Sequence, residues 1–464
     1  MLSAWPVADI RAAERRVMAR RPDGELMQRA AFAITVEASA MLQSLYGTRV
    51  LLLVGAGDNG GDALFAGSLL ARRGCAVQAV LADPARAHAE GLAAFRASGG
   101  RVVASDAVCR PELIIDGLVG IGASGPLRDT LVPLVRLADS FAAPVLAVDV
   151  PSGVDPNSGA VPGAAVSATV TVCVGALKPG LLLGPGREHA GEVRVIDIGL
   201  GPELPVSAIH QLTEDEVAAA LPRSSGQDDK YSRGVLGVAA GSTRYPGAAV
   251  LCVGSGLLGG VGAVRYAGTA AQEVVRRFPE VLVSDSVLDA GRVQAWVVGP
   301  GFGDGPQADS ALQHVMSSDV AVLVDADGLT ALAAHPEWLR QRTAPTILTP
   351  HDREFERLFG AVGPDRLAAA RRAAASSGAT VLLKGFATVI ADPSGQCFVN
   401  PTGHPSLATA GSGDVLSGLI GSLLAAGLDP LHACAVGAFL HGAAAHRGIV
   451  SASDLLVRLR NLFL

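Results

Sequence analysis

Residues 50–74 read VLLLVGAGDNGGDALFAGSLLARRG, and the order of events in that stretch decides the fold class. An apolar run without polar alternation, Val50 to Val54, is a strand covered on both faces. The glycines that follow make a turn, and the next dozen residues carry apolar positions at helical spacing. The same sequence of strand, glycine turn and helix returns in CAVQAVLA (75–82) with AHAEGLAAFRASGG (87–100). Further strands lie in ELIIDGLVG (112–120), APVLAVDVPSG (143–153), ATVTVCVGALKPG (168–180) and GEVRVIDIGLG (191–201). Continuous strands alternating with helices predict a doubly wound, parallel, Rossmann-like α/β domain. Two helices, near 7–20 and 25–45, precede it.

Beyond residue 205 the apolar rhythm stops and polar residues take over through RSSGQDDKYSRG (223–234). The alternation then restarts with strands in VQAWVVGPGFG (293–303), VAVLVDADG (320–328), APTILTPHDREFE (344–356) and ATVLLKGFATVI (379–390). Three helical stretches, SGDVLSGLIGSLLAAG, PLHACAVGAFLHGAAAHRG and SASDLLVRLRNLF, close the chain. The expected division is one domain over 1–205, a linker over 206–230 and a second α/β domain over 231–464.

Bulk numbers agree with two globular domains: 464 residues, 49% apolar and 17% charged, exceed what one hydrophobic core supports. A net charge of −6 with both signs interspersed leaves no basic footprint for nucleic acid. Six cysteines without a CxxC pair argue against a zinc site or a disulfide framework and fit a reducing, cytoplasmic location. The N-terminal stretch is charged throughout, unlike a secretory signal, and no apolar run approaches the roughly 20 residues of a membrane span. Apolar helices such as 431–441 offer an interface for a possible homo-oligomer.

In open α/β sheets ligands bind beyond the carboxyl ends of the strands, so the loops there carry the chemistry. In the first half three such ends hold carboxylates: VGAGDNGGDAL (54–64), IIDGLVGIGASGP (114–126) and AVDVPSGVDP (147–156). Converging carboxylates suit a cation or proton transfer, although Asp and Ser at such places also cap helices and turns. These three motifs, followed by ALKPGLLLGPG (176–186), resemble the epimerase domain of the bifunctional NAD(P)H-hydrate repair enzymes, which interconverts the R and S hydrates of NADH and NADPH. By that resemblance Asn59, Asp116 and Ser152 bind K+, and Asp116 is catalytic. The substrate is held by Asp58, Asn59, Gly60, Gly61 and Asp62, by Gly120, Ile121, Gly122, Ala123, Ser124, Gly125 and Pro126, and by Asp149. Two departures stand out: Asp58 replaces an asparagine usual in the family, and Ala63 a glycine.

In the second half, LATAGSGDVLSG (407–418) is a small-residue turn entering a helix, the arrangement with which backbone amides receive a phosphoryl group. Asp414 in that turn is placed to take the proton of an attacking hydroxyl. The chain has only three lysines, and Lys384 ends a buried strand where it can reach a phosphate. His351, after LTP, is either a ligand contact or a helix cap, and Asp325 and Asp327 are metal or ribose contacts or caps. GPGFG (299–303), TPHDREFERLFG (349–360), LLKGFATVI (382–390) and the GSGD turn occur in the order of ribokinase-like small-molecule kinases. With KYSRGVLGVAAGSTRYPGAAVL (230–251) they resemble the ADP-dependent NAD(P)H-hydrate dehydratases. The resemblance implies hydrate contacts at Ala248, Gly303, His351 and Asp414, and nucleotide contacts at Lys384, Gly385, Phe386, Ala387, Thr388 and Gly413. It also implies Mg2+ and ADP, phosphorylation of the ring hydroxyl of the S hydrate, and loss of phosphate to restore the ring. The competing reading is a vitamin or sugar kinase on the same scaffold, fused to a non-catalytic nucleotide-binding domain.

Overall fold

The structure is a computed structural model that describes residues 1–122, 125–223, 225–446, 448 and 451–462. The chain divides into two compact units, Ser3–Ser207 and Ala208–Leu464, the latter together with Met1–Leu2.

In the first unit seven strands lie parallel in the order Arg101–Val102, Ala76–Leu81, Arg49–Val54, Leu113–Gly117, Val145–Val148, Val170–Val174 and Glu192–Ile196. Successive residues of Arg49–Val54 go to opposite faces, and both faces are covered. Val50, Leu52 and Val54 pack with Ile34, Leu64 and Leu70 from the helices Glu25–Met41 and Asp58–Arg72. Leu51 and Leu53 pack with Leu134, Val135 and Ala138 from the helix Val132–Asp139. This double burial explains the continuous apolar run and bears out the doubly wound fold. The strand order reverses between Arg49–Val54 and Leu113–Gly117, which places the ligand crevice of such a sheet at those two carboxyl ends. Gly55 is forced there, because a Cβ at that position would lie 1.7 Å from the Leu118 carbonyl oxygen. Ala63 sits inside the helix Asp58–Arg72 without positive φ, and its methyl fills the space left by Gly117, where a second Cβ would come within 2.6 Å. The departure at Ala63 is thereby accommodated.

The sheet of the second unit runs Ile209–Gln211, Cys397–Val399, Val389–Ala391, Thr380–Leu383, Thr346–Leu348, Ala321–Val324, Ala295–Val298, Val235–Ala239, Ala263–Ala267 and Leu282–Ser284. It is parallel except on either side of Val389–Ala391. Three expectations change. Residues 379–390 form a hairpin and not one strand, because the chain turns at Gly385, where the Thr388 hydroxyl donates to the Gly385 carbonyl at 3.0 Å. Part of the expected linker is structured: Ile209–Gln211 pairs with Cys397–Val399, and Glu214–Ala220 is a helix with a capping box between Thr213 and Glu216. The helix Pro430–Ala445 is buried along nearly its whole length inside its own unit, so it is core and offers no free apolar face. It lies in one core with the helices Pro246–Gly256 and Ser412–Ala425, the last two meeting closely at Gly418, where a Cβ would stand 2.0 Å from the Cys252 carbonyl oxygen. That contact fixes the position of the GSGD turn.

Among the described residues no helix is long and apolar enough to cross a membrane, and all six cysteines are free.

Candidate active sites

In the first unit a cleft of about 770 Å3 opens at the predicted crevice. Asp58, Asn59, Asp62, Gly120, Ile121, Gly122, Gly125, Pro126 and Asp149 line it, so most of the predicted substrate contacts converge. Gly60 and Gly61 are buried in the first turn of the helix behind them. Ala123 and Ser124 fall outside the described residues.

Asp116 and Ser152 lie beneath this cleft. The Asp116 carboxylate is fully buried and accepts from the Ser152 amide (2.8 Å), the Ser152 hydroxyl (2.7 Å) and the Leu118 amide (3.2 Å). The Ser152 hydroxyl oxygen also accepts from the Val119 amide at 3.0 Å. Burial pushes the Asp116 carboxyl above its ordinary value, against the pull of the Ser152 and Leu118 hydrogen bonds. The Asn59 side-chain nitrogen is buried without a partner among the described residues, and the Asn59 oxygen lies 2.9 Å from where a Cβ on Gly120 would be. The Asp116 carboxylate, which has no cation beside it among the described residues, the Asn59 amide oxygen and the Ser152 hydroxyl are oxygen donors of low total charge, a chemistry that suits a hard monovalent cation better than a transition metal.

Asp149 has left-handed backbone (φ 69°), and its Oδ1 receives Lys178 Nζ and, at 3.1 Å, the Val174 amide. Lys178 is 1% exposed, and its ammonium also donates to the Val174 carbonyl at 2.7 Å. Burial alone would lower the Lys178 pKa, but Asp149, Cys173 and Glu14 together hold the ammonium above its ordinary value. Sequence reasoning gave Lys178 no role, although its scarcity was a signal. It also missed Glu14, Arg11, Arg86 and Arg128, which line the same cleft.

In the second unit the predicted residues gather at the carboxyl ends of Ala321–Val324, Thr346–Leu348 and Thr380–Leu383. Lys384 Nζ donates to Asp325 Oδ1 at 2.5 Å, and the Ser417 hydroxyl donates to Asp325 Oδ2 at 2.7 Å. A Cβ on Gly413 would lie 3.5 Å from Lys384 Nζ, so the GSGD turn passes directly beside this buried pair. Burial works against the Lys384 charge, but Asp325, Glu354 and Asp414 together keep its pKa above the ordinary value.

Asp414 stands in the first turn of Ser412–Ala425, and its carboxylate accepts no hydrogen bond among the described residues, so it is not a cap. Burial first, then Asp325 and Asp327, opposed by Lys384, raise its pKa from 3.8 to about 6. First-turn amides of a helix have no carbonyl partner within it, and here they meet a half-buried carboxylate held near neutrality. Asp327 accepts from the Gly303 amide at 2.7 Å and so anchors the GPGFG loop. Gly301, at φ 65°, faces Ala248, whose methyl would lie 2.6 Å from a Cβ on that glycine. His351 caps Asp352–Phe359: its Nδ1 accepts from the Arg353 and Glu354 amides, and Glu354 closes the capping box. A residue outside the predicted set is His441, buried and hydrogen-bonded to the Ser412 backbone, with Nε2 unpartnered. Burial takes its pKa down to about 4, so the ring beneath the turn is neutral.

A family model described as NAD(P)H-hydrate dehydratase matches residues 236–454, and one described as YjeF-related protein N-terminus matches residues 23–180. The bifunctional NAD(P)H-hydrate repair enzyme of Mycobacterium leprae is 50% identical over 455 residues, covering 97% of this chain and 94% of that one. Its namesake in Mycobacterium tuberculosis is 50% identical over 436 residues, covering 93% and 91%. A ribokinase-like superfamily protein from Enterococcus faecalis is similar in fold, with a TM-score of 0.51 and 23% identity over 56% of this chain and 96% of its own. With both domain models matched in tandem and half of the residues shared along nearly the full length, the chain belongs to the family of bifunctional NAD(P)H-hydrate repair enzymes.

Proposed function

We propose that the first unit interconverts the R and S hydrates of NADH and NADPH, and that the second uses ADP to dehydrate the S form, releasing AMP and phosphate. The observation that carries the reading is the arrangement around Asp414. A carboxylate with its pKa raised to about 6 stands in the first turn of a helix, beside a lysine that is already neutralised by Asp325. The turn amides and Lys384 suit an incoming phosphoryl group, while Asp414 suits the proton of the hydroxyl being phosphorylated. Phosphorylation serves the dehydration because hydroxide is a poor leaving group and phosphate a good one. Residues 384–388 and Gly413 would contact the adenine nucleotide, and Ala248, Gly303 and His351 the hydrate. Mg2+ is held by phosphates with one or two carboxylates; Asp327 and Asp414 are two nearby carboxylates that no hydrogen bond ties to Lys384 among the described residues.

In the first unit Asn59, Asp116 and Ser152 would hold K+, which supplies the positive charge that the buried Asp116 lacks. The free cysteines support a reducing, cytoplasmic setting.

The test is incubation of the full chain with ADP, Mg2+ and mixed NADPH hydrates, followed by the absorbance of the reduced ring and by assay of AMP. Recovery of NADPH from both epimers with matching AMP is expected. No recovery and no AMP would remove the proposal, and a stable phosphorylated product would replace it with a kinase.

A further inference from the structure

An epimerase must move protons at groups that reach its substrate, and Asp116 is fully buried, takes three hydrogen bonds and does not line the cleft. Asp62 and Asp149 do line it. Their surroundings are opposite. Asp149 is tied to Lys178 and to the Val174 amide, both on Oδ1, which leaves Oδ2 without a partner among the described residues. Asp62, one turn into Asp58–Arg72, has neither a hydrogen bond nor a cation among the described residues.

The charges around them do not balance. Glu14 from the helix Val7–Met18, Asp58 and Asp62 from Asp58–Arg72, and Asp149 from the end of the strand Val145–Val148 share this part of the cleft with one buried ammonium, Lys178. Arg11 offsets Glu14 in part. A cluster with more carboxylates than cations holds a proton. Burial, then Asp149, Asp58 and Glu14, push Asp62 well above its ordinary value, whereas Asp149 is paired directly with the buried Lys178 ammonium. A carboxyl that tends to keep its proton, next to a carboxylate paired with an ammonium, is placed as an acid beside a base.

We propose that Asp62 and Asp149 are the proton-transfer pair of the first unit, and that Lys178 is the positioning residue that keeps the proton on Asp62 and off Asp149. The inference rests on the epimerase reading of this cleft. Water adds to an enamine with its oxygen on the carbon next to nitrogen, so the carbon that inverts bears both the hydroxyl and the ring nitrogen. Asp62 gives its proton to that hydroxyl, and the C–O bond breaks with its electron pair leaving on water. The nitrogen lone pair meanwhile forms a C=N bond. Water then adds to the opposite face, the C=N pair returns to nitrogen, and the surplus proton passes to Asp149. Solvent carries a proton from Asp149 back to Asp62, and nothing is consumed.

The experiment uses the full chain and the purified R hydrate of NADPH without ADP, with epimer composition followed by chromatography from pH 5 to 9. Wild type should equilibrate the epimers, Asp62→Asn should be slower by about 100-fold or more, and Asp62→Glu should recover part of the rate. Lys178→Met should shift the acid-side fall in rate upward by about one pH unit or more, since Asp149 then competes for the proton. A purely structural role for Lys178 would lower the rate without moving the profile. Consumption of the S hydrate with ADP checks that the second unit of each variant is intact. Wild-type exchange by Asp62→Asn, or an unmoved profile in Lys178→Met, overturns the inference alone. Absence of exchange in wild type overturns it together with the epimerase reading.

Discussion

Asp414→Asn should abolish dehydration and stabilise the protein at the same time. An aspartate whose pKa rises from 3.8 to about 6 on folding holds its proton more tightly in the native state. Its stabilising contribution is therefore complete below about pH 3.8 and lost as pH rises through 6. Integrating the linkage, the ionised carboxylate costs about 3 kcal/mol at pH 8 and about 1.6 kcal/mol at pH 5. Asparagine keeps the shape and has no such cost, and since the pKa of about 6 already includes the attraction of Lys384, a net gain of about 1–3 kcal/mol at pH 8 is expected. For a unit of this size that is a rise in Tm of roughly 2–10 °C. Thermal unfolding of both proteins at pH 8 and pH 5 tests it, and the difference should shrink by about 1.4 kcal/mol at the lower pH. Dehydration of the S hydrate should fall by about 10²- to 10⁴-fold, with epimer exchange unchanged. A variant no more stable than wild type at pH 8, or one whose advantage is the same at both pH values, would refute the argument that Asp414 is a strained, ionised base.

Lys384→Met removes the cation from Asp325, which is 1% exposed, and should cost about 3–5 kcal/mol in denaturant unfolding as well as dehydratase activity. Ser152→Ala deletes the hydroxyl that bonds Asp116 at 2.7 Å; it should cost about 1–3 kcal/mol and remove the extra stabilisation that KCl gives over NaCl. An equal KCl effect in variant and wild type would take Ser152 out of the cation site. Gly301→Ala puts a methyl 2.6 Å from Ala248 at positive φ, and should raise KM for the S hydrate about tenfold or more. Adding Ala248→Gly should return only part of that loss, since the backbone strain at residue 301 remains.

What could be read from the sequence is what a single residue's own constraints dictate. Gly55 must be glycine because a carbonyl from the neighbouring strand occupies the place of its side chain, and the run 50–54 must be apolar because both faces of its strand are covered. Such demands surface as motifs, and they located the cleft, the GSGD turn and Lys384. Asp116 shows where that reading stops. Its place at a strand end marks it as functional, but only the fold shows that its oxygens are spent on Ser152 and Leu118 beneath the cleft floor. Asp62 and Asp149, in motifs read as substrate contacts, take their separate characters from Lys178, brought in from another strand end, and from Glu14, carried by a helix outside the sheet. Likewise, His351 leaves cap and ligand undecided until the Arg353 and Glu354 amides are seen on its ring. Protonation state is a property of a neighbourhood, and neighbourhoods that draw on residues as far off in the chain as Asp149 from Asp62, or Asp325 from Asp414, leave no local pattern. The two carboxylates to which the proposed chemistry is given, Asp62 and Asp414, share this trait: each lacks a hydrogen-bond partner among the described residues, and each is pushed up by burial and by other carboxylates. Their instability as anions is what fits them to hold and exchange a proton.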